Sequence, residues 1–136
     1  MGFQTVVFGY IQTFPARDNE TRVLLRRIYF DPVYPFPNLF HGPYPGYQWS
    51  TISFAGSFKD FDEELSVWLS RFENLLVTIQ AFTAEVAIVS EKGRKDSIEY
   101  VRILKSDNLD NADNRTWLIT TTRNVSGIAQ EEERIL

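Results

Sequence analysis

Between residues 65 and 79, Leu65, Trp68, Leu69, Phe72, Leu75, Leu76 and Ile79 recur at spacings of three and four, with two adjacent pairs among them. At 3.6 residues per turn this spacing draws a continuous apolar stripe down one side of a helix, and such a stripe has to be buried against another element. Just before it, Asp60-x-x-Glu63 has the spacing of a capping box, with Asp in place of Ser or Thr. Asp62, Glu63 and Glu64 then crowd the expected first turn, where the helix dipole favours acids. The pattern predicts a helix over 62–79 lying across a sheet.

The flanking segments supply that sheet. Residues 3–14, 48–58, 83–91, 97–105 and 115–123 alternate and are rich in β-branched and aromatic side chains, the signature of strands. A shorter helix is expected after Pro15, with Asp18 or Asn19 as its cap and Leu24 and Ile28 on its apolar side. The polar stretch 106–114 reads as a loop, and the tail from Ser126 is left open between a turn or two of helix and a mobile end. The resulting order, β-α-β-α-β-β-β, predicts an α+β fold: one antiparallel-rich sheet with two helices on one face, in a single domain spanning 1–136.

Every proline except Pro15 lies between residues 32 and 45, in a stretch that also holds the lone His41. Proline fixes its own φ and restricts the residue before it, so this connection is expected to be stiff, extended and barred from helix or central strand. Tyr34, Phe36, Tyr44 and Tyr47 ride on it. Aromatics on a stiff loop bury area at little entropic cost, which suits plugging a core edge or anchoring a partner.

Catalytic chemistry finds little support. His41 has no G-x-S-x-G or H-E-x-x-H around it, no glycine-rich phosphate loop exists, and the Asp107, Asp110, Asp113 loop lacks the Gly and terminal Glu of an EF-hand. The expectation is no catalytic residue, no metal and no cofactor. With no cysteine, disulfides, zinc–thiolate sites and cysteine nucleophiles are excluded together. A formal charge of −4, with the bases clustering in no more than two small groups (Arg22, Arg26, Arg27; Lys92, Arg94, Lys95), argues against nucleic acid. No apolar run reaches the ~18–20 residues that cross a bilayer, and the start reads as a strand, so no membrane and a cytoplasmic address are expected. The acids gather at 60–64, 107–113 and 131–133, and acidic surfaces attract basic partners.

The stretch ISFAGSFKDFDEELSVWLSRFENLL, residues 52–76, together with Gly9-Tyr10-Ile11 in the first strand, resembles immunity proteins of bacterial polymorphic-toxin systems. That resemblance implies a small cytoplasmic protein that binds and neutralises a cognate toxin domain. Joined to the charge pattern, it points to a basic toxin held by Asp62, Glu63 and Glu64, with Tyr34, Phe36, Tyr44 and Tyr47 as anchors. Two other readings stay open: a small ligand-binding or enzymatic domain with a sheet–helix cavity near the 34–47 loop, and a self-assembling subunit, a homodimer through an exposed sheet edge.

Overall fold

Alternation decides which side of each strand is buried. In β1 (Gln4–Thr13), Thr5, Val7, Ile11 and Thr13 are buried, whereas Gln4, Phe8 and Tyr10 are open to solvent. In β3 (Ser50–Lys59), Ile52, Phe54 and Phe58 point the same way as Val7 and Ile11, because the antiparallel register sets Ile11 opposite Ile52 and Thr5 opposite Phe58. The computed structural model describes residues 3–32, 35–103, 116–123 and 128–136. Among these, β1, β2 (Phe40–Pro45), β3, β4 (Thr83–Ser90), β5 (Lys95–Arg102), β6 (Thr116–Arg123) and β7 (Ala129–Ile135) form one antiparallel sheet in the order β2-β3-β1-β4-β5-β6-β7.

The stripe packs as its spacing predicts. Helix α2 (Leu65–Thr78) buries Trp68, Phe72, Leu75 and Leu76, and its rings interlock with those of the sheet. Trp68 and Phe72 stack at 5.1 Å, Phe72 meets Phe54 at 5.3 Å, and Phe72 meets Tyr100 at 5.8 Å. Helix α1 (Asp18–Arg27) lies on the same side: Leu24, Leu25 and Ile28 pack against this core. The hydroxyl of Ser50, which shares the buried side of β3, donates to Asp18 at 2.8 Å. Asp18 is thus the first residue of α1 and its side chain is used across the chain, while Arg17 occupies the cap position with no side-chain bond.

The α+β class and the two helices agree with the sequence expectation, but the element order does so only loosely, because two edge strands were not foreseen. Strand β2 takes Phe40–Pro45 out of the proline-rich connection; an edge is the position in a sheet where proline is tolerated. Strand β7 takes Ala129–Ile135 of the tail, a segment in which every residue is exposed and no apolar alternation marks a strand; pairing with β6 decides it. The polar 106–114 stretch and Tyr34 lie outside the described residues.

The acids before the stripe also behave differently from a helix cap. Asp60 adopts a left-handed conformation (φ 54°), makes no capping bond, and is followed by a 3-10 turn, Phe61–Glu63. This tight turn buries Phe61 and stacks it on Phe58 at 4.3 Å. Burial of that ring outweighs regular helix geometry, so α2 begins at Leu65 and the acids precede it.

Gly9 marks the closest approach in the sheet. A Cβ there would meet the Glu85 carbonyl oxygen at 1.8 Å and the Phe54 ring at 2.9 Å. Gly9→Ala is expected to lower the free energy of unfolding by at least the ~1–3 kcal/mol of ordinary overpacking. Phe72→Ala, which removes a fully buried ring, is expected to cost about 3–5 kcal/mol. Urea unfolding of both variants checks these values; losses under ~1 kcal/mol for Phe72→Ala would mean α2 is not the clamp on the sheet.

Candidate functional site

Both helices cover one side of the sheet, and among the described residues no element is packed on the other. The registers fix what that open face carries. One row across it runs Ser53, Tyr10, Glu85, Glu99, Thr120, Glu131, and the next runs Ala55, Phe8, Ala87, Ser97, Thr122, Ala129. His41, paired with Ser53, and Tyr44, paired with Thr51, extend the face onto β2. Phe8, Tyr10, Tyr44 and Val101 are exposed on it at 39%, 37%, 61% and 38%. Aromatic surface therefore occupies the β2–β3–β1 half. Glu85, Glu99, Glu131 and Glu133 occupy the β4–β7 half, and the lysines of the face, Lys59 and Lys95, sit at one end of it. The Tyr10 phenol is pushed above its ordinary value, first by burial and then by the charge of Glu85 and hydrogen bonding to it.

The residues singled out from the sequence do not come together. Asp62 and Glu63 are exposed in the 3-10 turn after β3, and Glu64 is half-buried, its carbonyl accepting from the Trp68 N–H. Tyr44, on β2 opposite Thr51, and Tyr47, between β2 and β3, are exposed beside the other end of β3. At ~3.3 Å per residue the two groups stand roughly 25–30 Å apart, so one small contact cannot join them. Phe36 is no anchor for a partner. It is 1% exposed, packed between Phe30 and Trp68 at 5.6 Å from each, with the Arg71 guanidinium 5.0 Å from its ring. Arg71 in turn pairs with Asp31 and donates to the Tyr29 carbonyl, pinning the proline-rich segment onto α2. The loop thus divides: Phe36 and Phe40 plug the core, and Tyr44 and Tyr47 face solvent.

A cleft does exist between sheet and helix, but at the opposite end of the sheet from that loop. It encloses about 240 Å³ between α2 and β5–β7, floored by Ile98 and Ile119 and walled by Leu69. Its mouth is tied by a polar junction: Tyr100 donates to Glu73 at 2.9 Å, and Arg134 of β7 makes a two-pronged contact with the same carboxylate at 3.1 and 2.7 Å. Burial, then the Glu73 charge and hydrogen bond, hold the Tyr100 phenol far above its ordinary 10.0. The junction fastens the edge strand to the helix. Among the described residues no group of three or more His, Cys, Asp or Glu is placed to hold a metal ion, and no helix is long and apolar enough to cross a membrane. No family model, curated protein or solved structure matches this chain.

Phe8, Tyr10, Glu85 and Glu99 were missed as site residues because strand periodicity gives two faces without saying which one the helices cover.

The Tyr100 junction predicts a pH dependence. The folded state keeps the phenol protonated where the unfolded chain ionises near 10, so its stabilisation is full below pH ~10 and is lost as pH rises above that value. Tyr100→Phe is expected to cost about 1–3 kcal/mol at pH 7 and to flatten the alkaline loss of stability. Thermal unfolding between pH 7 and 11 measures both, and an alkaline limb equally steep in the variant would assign it to other groups.

Proposed function

We propose that this chain acts by binding another protein, as an immunity-type inhibitor that occupies a cognate bacterial toxin domain in the cytoplasm. The observation that carries the reading is the open side of the sheet. Seven strands at ~4.8 Å spacing and some eight residues of length present roughly 750 Å², close to the ~800 Å² per partner of a standard protein–protein interface. Aromatic side chains are exposed on this side, and aromatics are enriched where proteins meet. The likeness of residues 52–76 and Gly9-Tyr10-Ile11 to immunity proteins supports the choice of a toxin as the partner. The edges favour heterologous binding over self-assembly: β2 carries Pro43 and Pro45, and β7 carries Glu131, Glu132 and Glu133, the devices that discourage edge-to-edge pairing.

Co-expression with the product of the adjacent gene tests this. The expected outcome is a stable complex on size exclusion and rescue of growth when that product is toxic. Absence of both complex and rescue would remove the immunity reading.

A further inference from the structure

We propose that the open sheet face docks the basic surface of its partner, with the aromatic half over β3–β1 meeting apolar groups and the carboxylates over β4–β7 meeting lysines and arginines. This deepens the reading of the chain as a protein binder and replaces the 62–64 turn as the contact.

Two features of the face favour that occupant over others. Glu85 and Glu99 are directly opposite on neighbouring strands, an arrangement that disfavours the sheet by a like-charge contact. Glu131 lies in the same row, one strand beyond Thr120, and Glu133 two residues further along β7. Four carboxylates at this spacing, with Lys95 the one lysine of their half among the described residues and placed at its far end four residues along β5 from Glu99, are held together at a cost that cations from a partner would relieve. The same charge disfavours the alternatives. A second copy stacked face to face would set glutamates against glutamates, and anionic lipid or nucleic-acid phosphate would be repelled. Beside the acids, Phe8 and Tyr10 are immediate neighbours of Ala87 and Glu85, so the apolar and acidic halves are continuous. A lysine stem can lie along the Tyr10 ring while its ammonium reaches Glu85.

The test uses the ¹⁵N-labelled full chain and hexalysine as probe. At low salt, amide shifts are expected on β4–β7 and around Tyr10, and adding salt to ~0.15 M should weaken them because the Debye length falls to about 8 Å. The variant carrying Glu85→Gln, Glu99→Gln, Glu131→Gln and Glu133→Gln, which keeps side-chain shape on solvent-exposed or half-exposed positions, should bind at least tenfold more weakly. A variant with Asp62→Asn, Glu63→Gln and Glu64→Gln should bind like the parent. Shifts centred on residues 61–64, or spread evenly over the chain, would overturn the proposal. So would a dimer in sedimentation equilibrium that Phe8→Ser dissociates, since it would give the face to a second copy. The two readings separate cleanly. Hexalysine mapping to this face without growth rescue leaves the docking surface standing and removes the toxin. Rescue that survives both the four-glutamine variant and Phe8→Ser removes the surface and keeps the toxin.

Discussion

The packing of α2 on the sheet is the contact from which the rest of the structure follows. Trp68 and Phe72 stack on each other and share neighbours with Phe36, Phe40, Phe54 and Tyr100, so one ring cluster joins the helix, strands β2, β3 and β5, and the proline-rich connection. Aromatic rings combine large buried area with preferred offset and edge contacts. Such a cluster fixes mutual orientation as well as supplying hydrophobic stabilisation. The aromatic plug from the 35–40 segment and the Arg71–Asp31 pair then hold the connection down on α2.

That arrangement spends the chain's large apolar side chains on one side of the sheet. The other side keeps the alternate residues, and with both helices committed these become the exposed surface. A half-covered antiparallel sheet is ordinary when its outer face is polar. Here the outer face is not uniformly polar: its β3–β1 half carries Phe8 and Tyr10, and its β4–β7 half carries carboxylates opposite one another. The proposed binding role would use surface composition of this kind. The same one-sidedness explains why the cleft beside α2 is small: the floor of Ile98 and Ile119 is roofed at one end by the Glu73–Arg134–Tyr100 junction.

Local side-chain pattern was enough for the elements that have a strong period. The stripe at 65–79 could be nothing but a buried helix face, and the alternation in β1, β3, β4, β5 and β6 followed from the same rule at period two. It also determined that the 32–45 connection would be stiff, since proline's φ is set by its own ring. Tertiary structure decided the rest, for reasons that lie outside any local window. Strand β7 exists because β6 offers it a free edge, and AQEEERI has no apolar alternation to announce it. Phe61 turns the acidic segment into a 3-10 turn because it must reach Phe58, a contact invisible in the capping-box spacing. Phe36 and Tyr44 sit on one loop with the same aromatic character, yet one is sealed in the core and the other lies in solvent, because only the packed helix defines an inside. Most consequentially, Glu85, Glu99 and Glu131 are far apart in the chain and become one row only when strand order and register are set.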